Sequence, residues 1–428
     1  MLRVLIITYY WPPAGGPGVQ RWLKFVKYLR DFDIEPVVYC PENPQYPLTD
    51  ITLSKDISGD FKIIKHPIFE PYRFAELFSK SDTKTISKGI INDKKKQSLI
   101  QQLLLYIRGN FFIPDARKFW VKPSVKFLEN YLESNSVDII ITTGPPHSIH
   151  LIGKALTKKI KLPWLADFRD PWTTIGYHKK LNLSKKAKAK HKKLESEVLN
   201  AANQLLVTSH TTAKEFSRLT NRPITVITNG YDTFNSSHIA LDQNFTVSHI
   251  GSLLSERNPV NLWQALYDLT LENENFAKHF KLQLIGATSP NVLETINRIG
   301  LSSFVEDKGY VSHEKALYLQ RASQVLLLIE IDSKQTKCII PGKLFEYMVS
   351  KRPIVALGPK NADIKDIIQE THTGHFFQYN EYEAIKNRFK HYFEAYQSGA
   401  LKTDPVGLEK FSRRELTHKL ADLLKQMI

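Results

Sequence analysis

With two cysteines in 428 residues, Cys40 and Cys338, the chain has too few for a disulfide framework, and a reducing compartment suits it. No apolar run approaches the roughly 18 residues that a transmembrane helix needs. The N-terminal run ends at Ile7, before Tyr9-Tyr10-Trp11-Pro12-Pro13, which is too short for the core of a signal peptide. Acidic residues are also scarce: 43 stand against 59 Lys and Arg, a formal net charge of +16. Apolar residues are not lacking. At 42% hydrophobic and 24% charged, the composition is that of a folded chain and excludes a disordered one. The length exceeds one compact core and suits two domains of about 200 residues each. The expectation is a soluble, cytoplasmic, strongly basic protein.

The charge is concentrated. Lys179 to Lys193 reads KKLNLSKKAKAKHKK, eight lysines and no acid, which is half of the net charge. Lys94-Lys95-Lys96 precedes an apolar, amphipathic segment from Ser98 to Ile107, followed by Phe111-Phe112. These features suit a solvated helix face with a flexible loop, an anionic membrane surface or nucleic acid. The run lacks the interleaved aromatics of a single-strand platform, and no zinc-finger spacing occurs, so a membrane ranks above nucleic acid, which is not expected as a partner.

Strands and helices alternate along the chain. The first strand, Leu2 to Thr8, is an apolar, β-branched run, as in a parallel sheet covered on both faces. Val19, Trp22, Leu23, Val26 and Leu29 form one helical stripe. A second strand, Pro36 to Tyr39, leads into an irregular, polar insert over about 41–118 with one helix in it. Further strands are predicted at Val137–Thr143, Pro163–Asp167, Gln204–Thr208 and Ile224–Thr228, with a long basic helix ending near Ala202. The second half repeats the rhythm, with strands at Phe245–Gly251, Lys281–Gly286, Phe304–Lys308, Val325–Ile329 and Pro353–Ala356. Two such series predict an α/β protein of two doubly wound, Rossmann-like parallel-sheet domains facing a central cleft. The predicted division is 1–235, then 236–405, with a terminal helix in 406–428 free to pack on either domain and a polar linker from Tyr231 to Asn244.

Ligands of such sheets bind beyond the carboxyl ends of the strands, so the loops there carry the candidate residues. Trp11-Pro12-Pro13-Ala14-Gly15-Gly16-Pro17-Gly18 joins the first strand to its helix. Glycine permits close backbone approach there and the helix N-terminus attracts an anion, or the segment is a plain tight turn. It is neither a dinucleotide fingerprint, because Arg21 stands where a small residue is required, nor a P-loop. Ala166-Asp167-Phe168-Arg169-Asp170-Pro171-Trp172 puts three charges beside aromatics at a strand end, suited either to hydroxyl groups or to a structural ion pair. In Gly144-Pro145-Pro146-His147-Ser148-Ile149-His150 two histidines share a helix face without a third ligand, so no metal is expected. Cys338-Ile339-Ile340-Pro341-Gly342-Lys343-Leu344-Phe345-Glu346 places Lys343 in a helix's first turn, where a diphosphate fits, and Glu346 one turn later on nearly the same face.

Taken in order, these elements resemble glycosyltransferase family 4, of the GT-B fold, across essentially the whole chain. The matching residues are Gly15-Gly16-Pro17-Gly18, Asn229-Gly230-Tyr231-Asp232, His249-Ile250-Gly251-Ser252 with Arg257, Gly309-Tyr310-Val311, and Gly342-Lys343-x-x-Glu346 followed by Lys351-x-Pro353-Ile354-Val355. The resemblance implies a retaining, metal-independent transfer of a sugar from a nucleotide-sugar donor, with no other cofactor, to a glycan or lipid-linked acceptor of a cell-surface polysaccharide. It implies that Arg257 and Lys343 neutralise the departing diphosphate, helped by backbone amides at Gly342, Gly251-Ser252 and Gly15, Gly16 and Gly18. Glu346 would hold the ribose, Tyr310 and Val311 would line the base, and Cys338 and Ile340 would lie along the sugar. Cys338 replaces the first glutamate of the family's Glu-x7-Glu pattern. On the acceptor side stand His147, Asp167, Arg169 and Asp170, of which His147 and Asp170 join Arg257, Lys343 and Glu346 as catalytic candidates. Lys179–Lys193 and Ser98–Phe112 would dock the enzyme peripherally on the inner face of the membrane. Two competing functions remain: a nucleotide-sugar epimerase on the same scaffold, and a non-catalytic basic module that binds anionic polymers.

Overall fold

The computed structural model describes residues 1–57, 61–71, 99–232 and 239–428. Lys94-Lys95-Lys96, Ser98 and residues 233–238 of the predicted linker lie outside the described residues. The chain forms two compact units, Met1–Asn229 with Arg413–Ile428, and Gly230–Ser412.

The first unit is a parallel sheet of seven strands: β1 (Leu2–Ile7), β2 (Ile34–Pro41), β3 (Lys62–His66), β4 (Ile139–Gly144), β5 (Trp164–Phe168), β6 (Gln204–Val207) and β7 (Ile224–Val226). Their order across the sheet is β3-β2-β1-β4-β5-β6-β7. Its helices are α1 (Pro17–Leu29), α2 (Leu99–Phe111), α3 (Lys118–Ser134), α4 (Ser148–Lys159), α5 (Lys185–Ala201) and α6 (His210–Phe216). β1 explains its own composition. Val4 and Ile6 enter one core and Leu5 and Ile7 another, so both faces are covered from Val4 onward and the one polar residue, Arg3, sits at the less buried start of the strand.

The second unit has β8 (Phe245–Ile250), β9 (Phe280–Ile285), β10 (Val305–Gly309), β11 (Val325–Ile329), β12 (Ile354–Leu357) and β13 (Gly374–Phe377) in the order β10-β9-β8-β11-β12-β13, all parallel. Around it lie α7 (Val260–Glu272), α8 (Glu274–His279), α9 (Pro290–Ile299), α10 (His313–Ala322), α11 (Gly342–Val349), α12 (Asp363–Glu370) and α13 (Tyr382–Gln397). The last helix, α14 (Arg413–Lys425), belongs to the first unit.

Two strands depart from the sequence reading. β3 lies inside the segment read as irregular, and β13 was not predicted. Both are outermost in their sheets. β3 reads Lys-Ile-Ile-Lys-His with one buried residue, and β13 has four residues. Edge strands are short and carry charge because the free edge must not recruit another chain, which erases the apolar run that marks a central strand. α3 begins where the insert was expected to end.

Both sheets reverse direction at one place. In the first unit, β1 and β4 are neighbours although β2 and β3 run off on the far side. In the second, β8 and β11 are neighbours in the same way. Loops leaving a reversal diverge to opposite faces and open a crevice at the carboxyl edge. α14 covers one face of the first sheet with Leu416, Leu420, Ala421 and Leu424, in the same core as Val4, Ile6 and Trp22. Leu420→Ala should therefore destabilise the first unit by about 2–5 kcal/mol, read as a lower urea midpoint by tryptophan fluorescence. An unchanged midpoint would contradict this packing.

Candidate functional site

In the second unit, the reversal between β8 and β11 gathers most of the expected donor residues. β8 is followed by Gly251, whose φ of 121° a side chain would strain. The chain passes so close that a Cβ on Gly286 would fall 2.5 Å from the Gly251 carbonyl oxygen. α11 begins at Gly342, capped by Pro341, and its second residue Lys343 reaches back so that Nζ donates to the Ile250 carbonyl at 3.3 Å. Tyr347, fully buried one turn on, accepts from the Ile250 amide at 3.0 Å and donates to its carbonyl at 3.2 Å, pinning α11 to the end of β8. Arg257 donates from Nη1 to the Ser252 carbonyl at 3.3 Å.

Between these cations sits a residue the sequence reading missed. Glu330 follows β11, is 1% exposed, and its Oε2 pairs with Arg257 Nη2 at 3.1 Å. Its other oxygen, Oε1, is buried without a hydrogen-bond partner. The signal was available: an acid ends the apolar run Val325-Leu326-Leu327-Leu328-Ile329, as Asp167 does in the first half. Burial pushes the Lys343 ammonium down to about 8; the charge of Glu330 opposes this, Arg257 adds to it and Glu346 opposes it. His249, buried beneath, is kept neutral by desolvation and then by the Lys343 and Arg257 charges.

The other donor candidates surround this cluster unevenly. Glu346 is partly exposed, accepts from Gln320 Nε2 at 3.2 Å and lies 3.9 Å from His313 Nε2. Cys338 is 6% exposed and its thiol points to the Gln335 carbonyl at 3.7 Å. Ile340 is buried in the core that α11 covers, and Val311 packs against it. Tyr310 is 88% exposed.

In the first unit, the reversal between β1 and β4 gathers the glycine-rich loop and the expected acceptor residues. Gly15 donates to the Leu48 carbonyl at 2.9 Å, and Gly16, at φ 96°, caps α1. Arg169 ties this loop to its neighbour, donating to the carbonyls of Gly18, Gly144 and Pro145. A Cβ on Gly18 would collide with that guanidinium, so a side chain there would displace Arg169 from its clasp. Asp167 is 0% exposed. Its carboxylate accepts from Trp22 Nε1 at 2.6 Å, Thr143 Oγ1 at 2.8 Å and Arg21 Nη2 at 3.2 Å, so the protein itself engages both oxygens. Asp170 makes no hydrogen bond or ion pair among the described residues, and burial raises its carboxyl, against the nearby Arg169 charge.

His147 is 5% exposed, lies flat on Trp172 with centroids 4.8 Å apart, and neither ring nitrogen has a hydrogen-bond partner. Desolvation holds it neutral, with His150, His178, Arg169 and His191 adding to the effect. A buried polar ring without partners at a sheet reversal is the arrangement expected of a group that meets a ligand. His150 instead bonds Thr142 Oγ1 at 2.9 Å and stacks on Phe168 at 4.2 Å. A cavity of about 560 Å³ lies at the carboxyl ends of β2 and β3, lined by Pro13, Cys40, Asn43, Tyr46 and Lys65.

No protein-family model and no curated protein matches this sequence. Solved structures do. Anabaena Alr3699/HepE in complex with UDP-glucose aligns over 100% of both chains at 13% identity and a TM-score of 0.62. The lipopolysaccharide outer core galactosyltransferase WaaB, in its apo form, aligns over 100% of both at 13% and 0.59. A Listeria monocytogenes structure described as a UDP-N-acetylglucosamine 2-epimerase aligns over 99% of this chain and 96% of that one, at 10% and 0.55. With two Rossmann-like parallel sheets and this full-length likeness to glycosyltransferases, the chain has the GT-B fold.

Proposed function

We propose that this protein is a glycosyltransferase that moves a sugar from a nucleoside-diphosphate sugar to a glycan or lipid-linked acceptor of a cell-surface polysaccharide, with retention and without a metal. The observation that carries this reading is the meeting of Arg257, Lys343 and the first turn of α11 around Gly251-Ser252. Breaking the bond between sugar and diphosphate leaves negative charge on the leaving oxygens. Two fixed cations and a helix N-terminus, already oriented, stabilise that charge without reorganising. Glu330 holds Arg257 in place and balances one cation before a donor arrives, leaving one net positive charge for the diphosphate. Glu346 takes the ribose hydroxyls, and the backbone at Gly309–Val311 lies along the base. With Cys338 tucked against its own loop, the backbone around Ile340 does the work of orienting the sugar. The transfer proceeds on one face of the sugar with the diphosphate assisting, so positioning does the remaining work.

The reading extends to acceptor and location. His147, Arg169 and Asp170 face the acceptor, with Asp167 holding their loop from behind. The fold also supports an epimerase, which would consume the donor with no acceptor present. Membrane docking rests on two neighbouring features of the first unit. Asn110 of α2 accepts from the Ser184 amide at 2.8 Å, at the start of α5, so the apolar insert helix is fastened to the basic helix. Leu103 and Phe111 are 57% and 64% exposed on α2, beside the exposed lysines of α5. Among the described residues no helix is long and apolar enough to cross a membrane, so the docking is peripheral.

Three outcomes are expected. One nucleoside diphosphate from a panel should raise the melting temperature of the wild type and of neither Lys343→Ala nor Glu346→Ala; no shift with any nucleotide would sink the donor site and favour the basic binding module. Its affinity should be highest below pH 8, where Lys343 (pushed down to about 8) is protonated, and should fall by up to about tenfold per pH unit above it. Lys343→Ala should be weaker and flat across that range. Anionic vesicles should bind the wild type and release Lys186→Ala/Lys190→Ala/Lys193→Ala, which loses roughly a hundredfold at about 1 kcal/mol per lysine. Equal binding by both proteins, or by neither, would remove the docking step.

A further inference from the structure

A second cavity, of about 820 Å³, lies in the first unit, lined by Lys185, Lys188 and Lys192 of α5 together with Thr173, His178 and His191. The three lysines recur at the spacing that puts them on one side of the helix, and among the described residues no acid lines the cavity. Lys186, Lys190 and Lys193 form a separate stripe. Ser184 caps the start of α5 by accepting from the Ala187 amide at 3.2 Å, so Lys185 stands at the positive end of a 17-residue helix.

His191 supplies an independent observation. It is 1% exposed, and its Nδ1 accepts the indole N–H of Trp172 at 3.2 Å. A neutral imidazole that accepts at Nδ1 carries its proton on Nε2. That Nε2 is buried without a hydrogen-bond partner; the Gly109 carbonyl favours its charged form but does not meet it in hydrogen-bonding geometry. His178 packs edge-on against His191 at 4.4 Å. Glu195, the nearest buried acid along α5, is occupied by Thr173, whose amide and hydroxyl it accepts at 3.0 and 2.6 Å. The cavity therefore offers cations and an unmet N–H donor with no acid in its wall among the described residues. Asp115, whose charge also acts on His191, is occupied by Ser148 and the Arg117 amide. Leu183 and Ala189 give it an apolar wall, and its volume falls in the range of small-molecule sites, far above that of a bare anion.

We propose that this cavity binds a phosphate ester, its phosphoryl oxygens on Lys188, Lys192 and His191 and its organic part on Leu183 and Ala189. The ester is either a lipid headgroup or a soluble sugar phosphate, which share this chemistry. The site stands without the transferase reading, since all of its residues lie in the first unit.

Calorimetric titration at about 0.15 M salt tests it in a Lys343→Ala background, which removes the proposed diphosphate site of the second unit. Glucose 1-phosphate and water-soluble dihexanoyl phosphatidic acid serve as the two probes. One equivalent of at least one probe should bind, and Lys188→Ala/Lys192→Ala should weaken it by at least about tenfold, while Lys186→Ala/Lys190→Ala should not. His191→Phe should also weaken it, with circular dichroism of each variant confirming the fold. The tighter probe identifies the source. No binding of either probe, or equal loss in both lysine pairs, would overturn the site. Loss of nucleotide binding by Lys343→Ala alone bears on the transferase reading and leaves this one untouched.

Discussion

At the carboxyl edge of each sheet a buried carboxylate meets an arginine, and much of the molecule's chemistry follows from how far each pair is satisfied. A carboxylate taken out of water must be met by opposite charge and hydrogen bonds, or the fold carries a cost of several kcal/mol. In the first unit, Asp167 meets that demand completely. It draws Arg21 and Trp22 from α1 and Thr143 from β4 onto the end of β5, and Arg21 also reaches the Thr228 carbonyl at 2.8 Å. Four segments are thereby fixed at the carboxyl edge, and the glycine-rich loop is held where Arg169 can clasp it. In the second unit, Glu330 meets Arg257 and keeps one buried oxygen unmet. Arg257 stays partly exposed at 21%. A satisfied pair is architecture, whereas a partly satisfied pair beside a second cation is capacity to bind.

The same contrast explains what could be read from the sequence. Central strands β1 and β11 announce themselves because both faces are buried and apolar residues dominate. β8, which buries Thr246, Ser248 and His249, is still marked by Phe245, Val247 and Ile250, so all three are legible to within a residue or two. Edge strands β3 and β13 are not, since protecting the edge requires the charge and brevity that hide them. Acids at strand ends were a usable signal that was applied to Asp167 and not to Glu330. Nothing in the sequence distinguishes the satisfied acid from the unsatisfied one. That difference depends on Trp22 and Thr143, which lie 145 and 24 residues from Asp167. Periodicity inside Lys179–Lys193 did hold information: Ala187, His191 and Glu195 are buried at four-residue intervals, which splits the lysines into two stripes. Read only as a block of charge, the segment conceals its one histidine, His191.

The Glu-x7-Glu departure also acquires a physical reading. A carboxylate at position 338 would add a further negative charge to a loop that leads directly into α11, near Glu330. Cys338 instead buries a thiol against the Gln335 carbonyl, a neutral contact. With Glu330 already facing Arg257 and acting on Lys343, the region keeps its cations without a further acid to neutralise them.

Helix α5 is where local preference and structure disagree most. Six of its first nine residues are lysines and its first turn contains no acid, so like charges crowd the end where the helix dipole is already positive. A segment selected for stability alone would place acids there. The chain accepts the repulsion and also leaves the buried His191 Nε2 without a hydrogen-bond partner among the described residues. Violations of two local rules on adjacent turns, against which Lys193 has a long 4.0 Å pairing with Glu197, point to a surface shaped by something outside the chain. Both would be relieved by the same thing, an anionic group bringing negative charge to the lysines and an acceptor to the imidazole, so the strain and the ligand's chemistry have a single explanation.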